Sequence, residues 1–209
     1  MKIERTELLR YLGWRGQPLD EITTSSLERM SARCLEVAAP RSVVRRFTYA
    51  NGALSDTGVK LEGADIAKHL SGVDEVYLIA ATVGAGIERE LTRLTAVSRT
   101  DALVFDAAAS CAIESYLDER CAELEKDSGR ILLPRFSCGY GDFPISAQKD
   151  ICALLNTPTR IGVCVDENYT LSPLKSVTAV IGILKEGAKR GACASRCAIC
   201  SKTDCVYRR

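Results

Sequence analysis

Arg135-Phe-Ser-Cys-Gly-Tyr140, continuing through Gly141-Asp-Phe-Pro144, is the stretch on which the reading of this chain turns. It follows an apolar run, Ile131-Leu-Leu-Pro134, and leads into a helix expected to open near Ser146. Arg135 carries a planar fork that matches a carboxylate. Glycines on both sides of Tyr140 permit a sharp turn or a close approach of backbone to ligand. A ring held between glycines is badly placed to fill a core and well placed to face something flat or cationic. The plain alternative is a strand-to-helix turn carrying an arginine salt bridge, and spacing alone does not separate the two.

Working outward, residues 42–49, 74–83 and 176–183 read as strands, with shorter ones at 58–62, 131–133 and 160–165. Asn51-Gly52 lies between the first strand and 58–62, which predicts an antiparallel pairing through a long loop. Helical spacing covers 3–12 with Gly13 as its stop, 64–70, 87–96 and 146–155. A further helix starts at a capping box, Ser25-Ser-Leu-Glu28, and Asp101 is expected to cap a long helix reaching Lys126. Small residues at Ala107-Ala-Ala-Ser-Cys111 let a neighbouring element or a ligand come close. Trp14, the single tryptophan, reads as an anchor for the N-terminal segment. Without strict strand–helix alternation, the fold class is α+β, an antiparallel or mixed sheet with flanking helices.

Composition narrows the function classes. Of 209 residues, 46% are apolar and 26% charged, an ordinary globular balance. The 28 basic and 27 acidic side chains nearly cancel, so no nucleic-acid partner is expected. No apolar run reaches the roughly 20 residues of a membrane span. Met1-Lys-Ile-Glu-Arg-Thr-Glu is too charged for a signal peptide. Ten cysteines in that context point to reduced thiols or metal ligands, and to a cytoplasmic location.

Two units are expected: residues 1–185 as one α+β domain, and 186–209 as a linker with a cysteine-rich tail. Cys193, Cys197, Cys200 and Cys205 place four thiols within thirteen residues. Such a set suits tetrahedral zinc and an iron–sulfur cluster equally, the plain alternative being a reduced tail. Gly84-x-Gly86 follows a strand and precedes a helix, but lacks the third glycine of a dinucleotide site, and a helix start explains it as well. His69, the only histidine, reads as an exposed helical residue. Cys138 beside Arg135 has the setting of an activated thiol but no local histidine base.

The corner motif with Lys149 resembles the signature of the activation domain of cobalamin-dependent methionine synthase, Arg-x-x-Pro-Gly-Tyr-Pro before a lysine-bearing helix. Ile161-Gly-Val-Cys-Val-Asp-Glu167, followed by Pro173-Leu-Lys-Ser176-Val177, is similar to that domain's second hallmark. Leu9-Arg-Tyr-Leu-Gly-Trp-Arg-Gly16 and Ala80-Ala-Thr-Val-Gly84 resemble stand-alone versions of it, so the likeness covers about residues 5–185. The resemblance implies S-adenosylmethionine binding, docking over the cobalamin domain of a methionine synthase or related corrinoid methyltransferase, and methyl transfer to cobalt after reduction by a flavodoxin-like or ferredoxin-like donor. It assigns Arg135 to the ligand carboxylate, with Ser137, Cys138 and Gly139 lining the ligand. Tyr140 would face the sulfonium or the corrin as the residue nearest the chemistry. Glu167 and Ser176 are carried over as binding residues, and Glu114 is the candidate for the ligand ammonium. Cys138 and Gly141 stand where the family has prolines, which predicts a looser loop, and Gly13 and Cys111 stand nearest two acidic ligand contacts of the family. Two other readings are a corrinoid-docking cap that does not use S-adenosylmethionine, and a redox accessory protein organised around the tail.

Overall fold

Two strands of eight residues can be apolar on both faces only if each face meets its own layer of helices. A computed structural model describes residues 1–187, so the cysteine tail lies outside the described residues. In chain order the elements are α1 (Arg5–Tyr11), α2 (Glu21–Val37), β1 (Arg41–Ala50), β2 (Ala53–Leu54), α3 (Ala64–His69), β3 (Glu75–Thr82), α4 (Gly86–Val97) and α5 (Arg99–Ser128). They continue as β4 (Phe136–Ser137), α6 (Ala147–Leu155), α7 (Thr157–Ile161), β5 (Cys164–Val165), β6 (Leu171–Ser172) and β7 (Ser176–Ile183). The main sheet runs β2-β1-β3-β7-β4 with every pairing antiparallel, and β5 and β6 form a separate hairpin. This is the expected α+β class, with the sheet antiparallel throughout.

Alternation along the central strands sorts side chains between two cores. Ile79 and Ala81 of β3, with Ala179 and Ile181 of β7, pack beneath α1, α2, α4 and α5. Val76, Leu78, Ala80 and Val180 face α3, α6 and α7 instead, joined by Phe136, Phe143, Ile66 and Ile151. In α5, Phe105, Ala108, Ala109, Ala112 and Leu117 are completely buried. The small residues at 107–111 therefore admit neighbouring elements, α2 among them, to close packing. Burial of a side chain such as Phe105 contributes roughly 1.5–3 kcal/mol. Among the described residues no helix is long and apolar enough to cross a membrane.

Ion pairs fasten the helical layer from helix to helix. Asp101 accepts from Ser26 at 2.5 Å and Arg29 at 2.9 Å, tying α5 to α2. Glu90 of α4, 7% exposed, accepts from Arg33 of α2 and from Arg93, both at 2.8 Å. Lys175, just before β7, donates to Ser110 and pairs with Asp106 of α5, each at 2.9 Å.

Several local expectations are corrected. The second helix starts a turn before Ser25, because Asp20 accepts from the Thr23 backbone at 2.7 Å and caps it, while Ser26 turns inward to Asp101. Ser98, not Asp101, caps the long helix, accepting from the Asp101 backbone at 3.2 Å. Asn51-Gly52 turns the chain at once: Ala50 pairs with Ala53, and both turn residues have positive φ, 52° and 78°. The short β2 thus takes the place expected of 58–62, which keeps a single bridge, Ala53 to Lys60. Residues 160–165 split, since Asn156 with φ 50° and Pro158 start α7 and leave only Cys164–Val165 extended. Residues 131–133 hold one bridge, Leu132 to Ile183, and the edge strand forms at Phe136–Ser137. Trp14 stays 37% exposed, its Nε1 donating to the Gln17 carbonyl at 2.7 Å.

Glu90 carries a prediction. Hydrogen bonds from Arg93 and Arg33 hold its carboxyl down at about 2, from an ordinary 4.5. A lowered folded value stabilises fully above the unfolded value, and that stabilisation is lost as pH falls from about 4.5 towards 2. Glu90→Gln is expected to cost about 1–3 kcal/mol at pH 7 and to flatten the loss of stability across that acid window, both read from urea midpoints against pH.

Candidate functional site

The corner after β4 is a closed turn, held by its own backbone and by α3. Tyr140 N donates to Ser137 O at 3.1 Å, Phe143 N to Tyr140 O at 2.9 Å and Gly139 N to Phe143 O at 2.9 Å. The Asp142 carboxylate accepts from the backbones of Ala64 at 2.6 Å and Asp65 at 2.9 Å, capping α3 from a distant part of the chain. Those amides hold the Asp142 carboxyl below its ordinary value. Gly141 has φ 53°, and a Cβ there would run into the Asp65 carboxylate. The loop expected to be loose without prolines is therefore pinned. Side-chain capping and close packing replace the missing rings.

Phe136 sinks into the core against Phe143 and His69, with ring centroids 6.2 and 5.1 Å away. Tyr140, 38% exposed, stands edge-on to Phe136 at 6.0 Å, and Ile145 beside the corner is 45% exposed. His69 is buried, not exposed as expected, because the last turn of α3 faces the segment entering β4. Its Nε2 donates to the Pro134 carbonyl at 2.8 Å, and burial lowers its pKa. Cys138 is buried as well, near the Thr178 hydroxyl at 3.6 Å, and burial pushes its thiol up to about 12. Such a thiol is inert at neutral pH, in keeping with the missing base.

Arg135 goes the other way. Its side chain is 5% exposed and reaches α5, where Nη2 lies 2.9 Å from Glu114 Oε2, Nη1 2.7 Å from Asp118 Oδ1 and Nη1 3.5 Å from Cys121 Sγ. Burial opposes the charge, but Cys121, Glu114 and Asp118 outweigh it and raise the guanidinium above its ordinary value. The arginine salt bridge, one of the two sequence alternatives, is thus present. It joins two of the candidate ligand residues, Arg135 and Glu114, to each other.

Glu114 and Asp118 also line an open cleft of about 180 Å³ between α1 and α5. Glu7 and Tyr11 of α1 and Cys111 and Ser115 of α5 complete the wall, with Lys2, Glu4 and Glu119 at the rim. Burial and Glu114 push the Tyr11 phenol up. One guanidinium between two carboxylates leaves a net negative charge, so the wall favours a cationic group. Asp118, Cys121 and Tyr11 were not singled out from sequence. The available signal was the α5 stripe 114, 118, 121 at helical spacing.

The remaining candidates are dispersed. Ser137 pairs with Ala179 on the sheet edge, and Gly139 is exposed at the turn. Glu167 lies exposed in the turn between β5 and β6, whose backbone is held by Asp166 Oδ1 accepting from Asn168 and Thr170. Ser176 opens β7 opposite Thr82, its Oγ buried without a hydrogen bond. Gly86 lets α4 begin against α2, since a Cβ there would sit 2.7 Å from the Val37 carbonyl. Packing accounts for that glycine. Among the described residues no group of three or more His, Cys, Asp or Glu side chains is arranged for a metal ion, and Cys193, Cys197, Cys200 and Cys205 lie outside them.

Asp142→Ala is expected to lower the denaturation midpoint by removing the acceptor for the Ala64 and Asp65 amides. Gly141→Ala should cost about 1–3 kcal/mol through the left-handed backbone and the Asp65 contact. Chemical denaturation measures both.

No family model matches the chain, and no curated protein matches it. Among solved structures it is similar to the MetH reactivation domain bound to AdoHcy, with a TM-score of 0.65 at 16% identity, covering 90% of this chain and 76% of that one. At that identity the likeness is one of fold. The motif resemblance and the architecture agree at that level: this chain has the fold of the methionine synthase reactivation domain.

Proposed function

We propose that this chain is a reactivation subunit for a cobalamin-dependent methyltransferase of the methionine synthase type, working in the cytoplasm. It binds S-adenosylmethionine and presents the methyl group to cobalamin held by the partner. The observation that carries this reading is Glu114 on the wall of an open cleft, paired with the buried Arg135, on a fold shared with a domain that holds AdoHcy. Arg135 has the fork for an amino-acid carboxylate, and Glu114 the charge for its ammonium. The exposed Tyr140 ring offers a face to a sulfonium or a corrin, worth about 1 kcal/mol for a cation. S-adenosylmethionine supplies the methyl group, and the chain contributes position and the exclusion of water. The cobalamin domain would dock over the Tyr140 corner, with a flavodoxin-like or ferredoxin-like protein as electron donor. Ser137, Cys138 and Gly139 would line the ligand, and Glu167 and Ser176 would join from the β5–β7 side. The four tail cysteines would hold zinc or an iron–sulfur cluster.

A second reading is favoured by one specific observation. Arg135 already meets two carboxylates, and the cleft of about 180 Å³ is smaller than the ~300–1,000 Å³ usual for ligand sites. A cap that docks on a corrinoid protein without using S-adenosylmethionine would need neither to change. The deciding experiment takes an oxidatively inactivated methionine synthase lacking its own reactivation domain, with and without this chain, S-adenosylmethionine and a reductant. Recovery requiring all three supports the proposal. Docking with no heat from millimolar S-adenosylmethionine supports the cap. Arg135→Ala is expected to weaken S-adenosylmethionine binding by about 2–4 kcal/mol in calorimetry. Tyr140→Ala should impair recovery more than Tyr140→Phe, because the ring face does the work.

A further inference from the structure

The two carboxylates on Arg135 differ in freedom. Glu114 is 22% exposed and Asp118 is 58% exposed, while the guanidinium between them is 5% exposed. They sit four residues apart on α5, a like-charged spacing that repels unless a cation lies between. Glu114 and Asp118 line the cleft and hold the two Nη atoms of Arg135, so a carboxylate approaching those atoms from the cleft meets one of the two, and the more solvated one leaves at less cost.

We propose that Asp118 is an internal competitor, occupying the Nη1 edge of Arg135 until an amino-acid carboxylate replaces it. This rests on the reading above, in which Arg135 takes the ligand carboxylate. In the exchange Glu114 keeps Nη2, the ligand carboxylate takes Nη1, and Asp118 turns to solvent or to the ligand ammonium. The charge at the guanidinium is the same before and after. α5 need not move, because the Asp118 side chain alone clears the edge. The competitor acts only against ligands that carry a carboxylate, which makes Asp118 a specificity residue as well as a gate.

The test is calorimetry on the full chain with S-adenosylmethionine and with decarboxylated S-adenosylmethionine, comparing the unaltered protein with Asp118→Asn. Because decarboxylated S-adenosylmethionine carries one more positive charge, Glu119→Gln, which removes a rim carboxylate that does not touch Arg135, supplies the baseline for the general loss of one negative charge, and the preference shift of Asp118→Asn is read beyond it. Asp118→Asn is expected to shift preference towards the carboxylate-bearing ligand by about two- to fivefold, the scale of an exposed ion pair. The shift should shrink at 1 M salt. An unchanged or reversed preference, with S-adenosylmethionine still bound by the unaltered protein, overturns the competitor and leaves the parent reading standing. Absence of S-adenosylmethionine binding to both proteins at millimolar concentration overturns both. A matching melting temperature confirms that the isosteric variant is folded.

Discussion

Burial of both faces of β3 and β7 is the constraint from which the rest of the molecule follows. Neither strand has a solvent face, so helices must cover the sheet on each side, and the strand alternation decides which residue meets which layer. Antiparallel pairing gives the outer edge of β3 to β1, and the outer edge of β7 to the two residues of β4 and to 131–133. The two layers differ in make-up. One is built from α1, α2, α4 and the 30-residue α5, the other from α3, α6 and α7.

α5 does two jobs along its length. Its first half is rich in alanine and buried, which lets neighbouring helices approach. Its second half comes to the surface and carries Glu114, Asp118 and Cys121 to the underside of the strand edge. At about 1.5 Å per residue, 30 residues span roughly 45 Å, enough to serve both the core and the cleft.

The corner divides its chemistry because β4 is an edge strand of two residues. Consecutive side chains leave a strand on opposite faces. Arg135, the residue before β4, reaches α5, while Phe136 in β4, and Tyr140 standing against it, lie towards α3. A ligand touching both would have to wrap the strand edge. The Asp142 cap and the left-handed Gly141 keep that edge in place without the prolines that the resembling family uses.

What the sequence determined by itself are features whose cause is local. Near-continuous apolar runs over 75–82 and 176–183 specify strands buried on both faces, Asn51-Gly52 specifies an antiparallel reversal though not its two-residue length, and the glycines around Tyr140 specify a sharp corner. Tertiary structure decided the features whose cause lies at a distance. Whether Arg135 is open to solvent or neutralised depends on a helix face 14 to 21 residues away. The burial of His69 depends on the Pro134 carbonyl, 65 residues along the chain. The start of α2 was local in cause, yet two chemically similar caps competed, and Ser26 was drawn inward by Asp101. A short polar side chain satisfies whichever partner the packed backbone brings within about 3 Å, and no spacing along the chain encodes that choice.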